Sequence, residues 1–398
     1  MIPIAHPIVG KEEEEAALDV LRSGNFVQGR RVAAFEQRFA ELCQVREAVA
    51  VSSGTAALHL ALVAHEVGYG DEVITTPFSF AATANVILLV GATPVFVDID
   101  PLTFNIDPQQ VEAAITPRTK AILPVHLYGN PCDMQRLQAI AESHNLVIIE
   151  DACQAHAASI NGRPVGSFGT GCFSFYATKN MTTGEGGIVT TNDEFIAERV
   201  RLLRSHGQEE RYVHVALGFN QRMTEFEAAL GLVQLEKLER FTEARIVNAA
   251  YLTERLGQAV QTPVVQDGYR HVFHQYTIRV PQPHRRDEWV TKLRERGIAT
   301  AVHYPCPIHR QPFYQQASDL FRIAETKANR LNDARISTAP LAGVGAATLT
   351  QAWPAEAGTQ RLPAAEKAAS QVLSLPVHPA LSEDDLATIA REVLELCS

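Results

Sequence analysis

From Ala48 to Thr191 the chain repeats one pattern: a short apolar run, a turn, a helical stretch, then another apolar run. The runs Ala48–Ser52, Asp71–Thr75, Thr93–Val97, Ala121–Val125, Leu146–Ile149 and Ile188–Thr191 predict strands. Helical spacing falls between them at Phe80–Leu89, Asp107–Ile115 and Met134–His144. Several strands are apolar throughout rather than alternating, as expected where both faces of a sheet are covered. This order predicts an α/β fold with a mostly parallel sheet, helices on both faces and right-handed crossovers. In such a sheet ligands bind beyond the C-terminal ends of the strands, so the residues just after each apolar run matter most.

The flanking segments extend this frame. Helices are predicted over Lys11–Leu21, stopped by Ser23-Gly24-Asn25, and over Arg31–Leu42, with Val32, Phe35, Phe39 and Leu42 on one face. Glu194–His206 predicts a helix, Gln208–Phe219 a loop, and Thr224 to about Leu256 one long helix able to link two domains. Short strands over Tyr269–Val280 and helices over Asp287–Arg296 and Glu383–Leu396 predict a smaller α+β domain. The expected division is an N-terminal arm at 1–30, a large domain at 31–250 and a small domain at 251–398. Residues 318–362 have no periodicity and read as an insertion or flap.

A net charge of −10 and the absence of a basic run argue against a nucleic-acid partner. The most apolar stretch, Ala81–Val97, is broken by Asn85, Gly91 and Pro94, so no membrane span is expected. Six scattered cysteines without a CxxC pair, and no signal-peptide pattern, predict a cytoplasmic protein. Cys153 and His156 have no second pair at ligand spacing, so no metal is expected.

The strand Leu146–Ile149 runs into Glu150-Asp151, and a second strand, Cys172–Tyr176, leads to Lys179 and a Gly-rich turn. A carboxylate, a hydroxyl-lined turn and one lysine on neighbouring strand ends are the parts that pyridoxal 5′-phosphate (PLP) needs. The lysine forms the imine with its aldehyde, and the carboxylate keeps the ring nitrogen protonated. Ser174, five residues before Lys179, is a candidate to hold a phosphate together with Gly54, Thr55 and Ala56, which open a helix after a strand where free helix-start N–H groups suit an anion; a serine bonding its own backbone and a plain strand–helix connection are the ordinary alternatives. Phe80 is a candidate to stack on the ring, although an aromatic at a helix start is ordinarily a core residue; Gln154 is a candidate to reach the ring hydroxyl, and His156 is expected to be structural. Arg222 is a candidate for anionic groups, although a helix-start arginine pairing with Glu225 or Glu227 is the ordinary explanation.

Longer phrases carry a family resemblance: SSGTAALHLAL, FSFAATANVILLVGATPVFVDIDP, AILPVHLYG, EDACQAH, CFSFYATKN, GEGG, GFNQRM, VHYP and VLSLPVHPALSEDDL. In this order they resemble the DegT/DnrJ/EryC1/StrS family, PLP-dependent sugar aminotransferases of fold type I. The resemblance implies Lys179 as the imine-forming lysine, Asp151 on the pyridine nitrogen and Gln154 near the ring hydroxyl. It gives Thr55, Ala56 and Ser174 to the phosphate and Phe80 to the ring. It also implies a homodimer with shared active sites, in which Asn220 reaches the neighbouring subunit's cofactor phosphate. His303, Tyr304, His309 and the loop from Asn25 and Phe26 to Gln28 match its substrate-side segments. The implied reaction moves an amino group from an amino-acid donor, glutamate in the first instance, to a keto carbon (C3 or C4) of a nucleotide-linked sugar. Two alternatives are a non-sugar ketone such as a cyclitol, and a PLP-binding regulatory protein without turnover. The sequence departs from the family at Cys153, where Ala is frequent, and over 318–362, which is longer than usual.

Overall fold

A computed structural model of the chain describes residues 1–317, 319–324 and 362–397. Its centre is an eight-stranded sheet in the order Glu47–Val51, Gly187–Thr191, Thr170–Ser174, Val147–Asp151, Thr119–Leu123, Glu72–Thr75, Thr93–Phe96, Arg322–Ile323. All neighbours are parallel except that Gly187–Thr191 runs antiparallel to both of its partners. The C-terminal ends of Glu47–Val51, Val147–Asp151 and Thr170–Ser174 therefore emerge on one side. The sheet is buried on both faces as the apolar runs demand: Val73, Ile74, Ile122, Leu123 and Ile149 have no exposed surface.

Helices cover the two faces with separate apolar clusters. Gly54–Ala64 and Glu194–Arg204 pack over Val49, Leu123 and Val189. Met134–His144 packs over Ile74, Val95 and Ile148. The long helix Glu225–Leu256 starts with a reciprocal cap between Thr224 and Glu227. Near its far end Leu252 and Leu256 join Tyr276, Ile278, Trp289, Leu373, Ile389 and Val393 in another core. Here Tyr276–Arg279 pairs antiparallel with Val372–Leu375.

Several elements differ from the sequence expectations. Gln208–Phe219 contains a small hairpin, Gln208–Glu210 with Val213–His214, whose burial pattern is exposed and so lacks the apolar signal of a core strand. The helix expected from Phe80 begins at Ala82, which leaves Phe80 in the preceding turn. A helix over Pro363–Gln371 buries Ala365, Ala368 and Ala369 against Phe78 and Phe96; alanine gives too faint a periodicity to predict it. Most of the expected insertion, 325–361, lies outside the described residues, but its start belongs to the large sheet, where Arg322–Ile323 pairs with Val95 and Phe96. Among the described residues no helix is long and apolar enough to cross a membrane.

Candidate active site

Asp151 ends its strand with only 5% of its surface exposed. Thr83 donates its hydroxyl hydrogen to Oδ2 at 2.8 Å, and the N–H of Cys153 donates to Oδ1 at 3.2 Å. Thr83 in turn accepts from Ser79 at 3.0 Å, since its own hydrogen is committed to the carboxylate. The adjacent Glu150 points to the opposite face. Its oxygens accept from the N–H groups of Gly166, Phe168 and Gly169, each at 2.8 Å, and from His126 Nε2 at 3.1 Å. His126 Nδ1 accepts from the N–H of Cys132, which fixes the proton on Nε2. Strand alternation thus gives two consecutive carboxylates separate jobs: Glu150 anchors the strand end and Asp151 faces the site.

Ser53 caps the next helix, accepting from the N–H of Ala56 at 3.1 Å. The N–H groups of Gly54 and Thr55 occupy the first two helical positions, which have no intrahelical carbonyl to bond. A Cβ on Gly54 would lie 2.6 Å from Ser174 Cβ and 2.9 Å from Cys153 Sγ. Only glycine lets the helix start approach the ends of both neighbouring strands so closely. The cup formed by Gly54, Thr55 and Ser174 is thereby set directly beside the Asp151 turn.

Lys179 follows a turn closed by its own N–H on the Tyr176 carbonyl at 2.9 Å, and it is half-buried. Burial lowers its pKa below the usual lysine range, with Cys153 and Asp151 opposing the shift. Its charge is felt by His303, whose pKa falls to about 4 through burial first and Lys179 second. The amine, Asp151 and Cys153 therefore share one electrostatic environment.

Gln154 accepts at Oε1 from the N–H of Tyr128, 2.8 Å, and donates from Nε2 to the Tyr304 hydroxyl, 3.2 Å. The backbone donor fixes which way the amide faces. Tyr128 donates to the carbonyl of His303, and His303 Nδ1 contacts Ser374 Oγ at 3.0 Å. Burial raises the pKa of Tyr304, keeping its phenol protonated. Phe80 is 62% exposed, and its ring lies 6.4 Å from that of Tyr304, leaving a free aromatic face at the mouth of this cluster.

The remaining predicted residues fall elsewhere. Asn220 is exposed and bridges to Ser205. Arg222 bridges to Val51, and its Nε is buried without a partner. The ordinary pairing expected for it does not form. Glu225 instead accepts from the N–H groups of Gly29, Arg31 and Val32 and pairs with the Arg31 guanidinium, while Glu227 caps Thr224. Phe26 stacks on Phe226 at 5.7 Å, and Val27 bridges to Thr224, so Asn25 and Phe26 run beside the start of the long helix. His309 is buried against Glu366 at 3.0 Å, apart from the Gln154–Tyr304 pair in its contacts. His156 lies among Phe173 and Phe175, as a structural histidine does. Thr83 and Tyr128 carry no sequence signal of their own for a place in the site. Only their position three residues past Phe80 and within the AILPVHLYG phrase marks them there.

The residues on hand fit PLP. There is a desolvated amine, a buried carboxylate with hydrogen-bond support, a glycine-lined cup with free helix-start N–H groups, and an exposed aromatic face.

A protein of Geobacillus stearothermophilus named pleiotropic regulatory protein is 44% identical over 383 residues, covering 95% of this chain and 92% of its own length. The UDP-N-acetyl-3-dehydro-alpha-D-glucosamine 3-aminotransferase of Acidithiobacillus ferrooxidans is 40% identical over 374 residues, covering 93% and 90%. The crystal structure of S. venezuelae DesV superposes with a TM-score of 0.84 at 37% identity, covering 97% of this chain and 94% of that one. The model of the DegT/DnrJ/EryC1/StrS aminotransferase family matches residues 7–333 and 323–394. On its site and on these matches together, the chain belongs to the DegT/DnrJ/EryC1/StrS aminotransferase family.

Proposed function

We propose that this chain is a PLP-dependent aminotransferase that moves an amino group from glutamate to a keto carbon of a nucleotide-linked sugar, in two half-reactions. The observation that carries this reading is the convergence of Asp151, Lys179 and the Gly54–Ser174 contact on one end of the sheet. When bound, PLP supplies an aldehyde for the amine and a ring that withdraws electrons from the donor's Cα.

The chain's own residues do the rest. Lys179 anchors the cofactor and then, freed, carries the proton at the donor's Cα; a depressed pKa suits that task near neutral pH. Asp151, oriented by Thr83 and the Cys153 N–H, holds the ring N–H and keeps it positive. Gly54, Thr55, Ala56 and Ser174 hold the phosphate, Gln154 meets the ring hydroxyl and Phe80 covers the ring. His303 and Tyr304 face the acceptor, and Arg222 with Asn25 and Phe26 receives its anionic part.

A homodimer with shared sites belongs to the same reading. Tyr212 and Leu217 are 77% and 87% exposed in one chain, on the segment that leads to Asn220. Such apolar exposure favours cover by a second copy, which would bring Asn220 to the neighbouring phosphate. All six cysteines are free, which suits a cytoplasmic enzyme.

The experiment is spectroscopic. PLP-loaded protein should absorb near ~420 nm, and glutamate should bleach that band. Offering UDP-, dTDP- and GDP-linked keto sugars to the bleached protein should then restore it with one acceptor, which also distinguishes C3 from C4. Restoration by a cyclitol ketone alone would replace the sugar substrate. Bleaching with no acceptor would favour the regulatory reading that the name of the Geobacillus relative raises.

A further inference from the structure

Two buried hydroxyls at the start of the helix Ala82–Leu89 form a line that ends on Asp151. Ser79 is 4% exposed and Thr83 is 1% exposed, so neither meets bulk water. A helical threonine commonly bonds a backbone group close by in sequence. Thr83 instead donates across 68 residues of sequence to Asp151 Oδ2 at 2.8 Å, while Ser79, 3.0 Å away, donates to Thr83. The turn that carries them is fixed from several sides. The N–H of Phe78 donates to Thr76 Oγ1 at 3.1 Å, the N–H of Ile308 to the Pro77 carbonyl at 2.8 Å, and the N–H of Thr83 to the Phe80 carbonyl at 3.2 Å. Ser79 and Thr83 bracket Phe80, so one turn sets both the aromatic face and the donor on Asp151.

A buried carboxylate beside a pyridinium has two arrangements. The proton rests on the nitrogen as an ion pair, or it crosses to the carboxylate and leaves both partners neutral. Loss of water favours the neutral pair, since burial penalises charge. A hydroxyl that donates to the carboxylate favours the ion pair, because it bonds the anion more strongly than the acid. Resting on the cofactor reading above, we infer that the Ser79–Thr83 relay decides where this proton sits: it holds the proton on the ring nitrogen and so keeps the ring able to withdraw electrons. Thr83 supplies the bond, and Ser79, as its donor, polarises that hydroxyl and strengthens it. Both are positioning residues, acting on the ring only through Asp151. The other titratable groups that sense Asp151 do not take this part. Burial raises the pKa values of Cys132, Cys153, Cys172 and Tyr304, which keeps them uncharged near neutral pH. Glu150 is turned to the opposite face, and Lys179 is committed to the cofactor aldehyde.

The test uses full-length protein loaded with PLP that carries an NMR-active nitrogen isotope in its ring. The chemical shift of that nitrogen reports its protonation before any amino donor is added. Wild-type protein should show a protonated ring. In Thr83→Val the signal should move toward the unprotonated position, and both cofactor affinity and the rate of bleaching by glutamate should fall by about 10-fold. Thr83→Ser should restore the wild-type signal, and Ser79→Ala should move it in the same direction as Thr83→Val by a smaller amount. If Thr83→Val does not fold or bind PLP, Ser79→Ala against wild type decides. A ring as fully protonated in the deciding variant as in wild type, whatever happens to Tm, would mean that the hydroxyls only fill the core and would overturn the relay. Bleaching of the ~420 nm band of wild type by glutamate is recorded in parallel. Its absence strikes at the aminotransferase reading, whereas an unmoved nitrogen signal in a protein that bleaches normally strikes at the relay alone.

Discussion

The carboxylate at 151 and the amine at 179 have their chemistry set by surroundings rather than by identity. Asp151→Asn keeps an acceptor for Thr83 but removes the charge, so cofactor should still bind while turnover falls by about 100-fold or more. Steady-state kinetics beside a cofactor titration checks this, and near-wild-type turnover would sink the assigned role. Lys179→Ala should lose both the ~420 nm band and multiple turnovers, while thermal unfolding is little changed or improved, because a desolvated amine has been removed. Gly54→Ala tests the cup: the added Cβ meets Ser174 and Cys153 atoms closer than contact distance. Overpacking of this kind costs about 1–3 kcal/mol, and cofactor affinity should drop along with the denaturation midpoint. The sequence marks Lys179, Asp151 and Ser174 as candidates because strand ends and turns are locally encoded. It could not expose the Gly54–Ser174 contact, which joins segments 120 residues apart.

Elements in this chain are terminated by distant residues. Asp98, just past the strand Thr93–Phe96 and 4% exposed, accepts at 2.8 Å from the N–H groups of both Ala364 and Ala365, and so caps the helix Pro363–Gln371 from across the sequence. Asp98→Ala should cost about 1–3 kcal/mol in chemical denaturation, by stranding those two donors, and Asp98→Asn should cost less. Equal stability of Asp98→Ala and wild type would mean that solvent caps the helix. Glu225 plays the same part for the helix Arg30–Cys43, while being itself the first residue of the long helix. No local signal announces such caps. The sequence at Gly29 offers no side-chain acceptor, and a reader of positions 225–227 sees only an acidic first turn.

Across the whole molecule, buried neutral histidines set the acid limit of stability. His156 is fully buried and His271 is 4% exposed; burial lowers both pKa values from 6.5 to about 3. His271 Nδ1 also accepts the N–H of Phe273 at 2.9 Å, a bond that needs the neutral ring. In the unfolded chain these rings take up protons below pH 6.5, whereas in the folded chain they do not until about pH 3. Their contribution is therefore complete above pH 6.5 and is lost as pH falls, by about 2 kcal/mol for each ring at pH 5. Tm should decline steadily from pH 7 to pH 5, and less steeply in His271→Gln; a flat profile would contradict this. At this scale the division between sequence and structure is clear. The alternation of apolar runs and helical stretches, with no help from contacts, determined the mostly parallel sheet, because burial of both faces is written into each strand, and it singled out the strand ends proposed to carry the chemistry. What tertiary structure alone decided was adjacency: Thr83 on Asp151, Gly54 against Ser174, Tyr128 fixing Gln154, Glu225 rather than Arg222's pairing, and Arg322–Ile323 joining the large sheet. Hydrogen bonds and steric approach act over a few ångströms in space, and separation along the chain carries no record of which distant residues will meet.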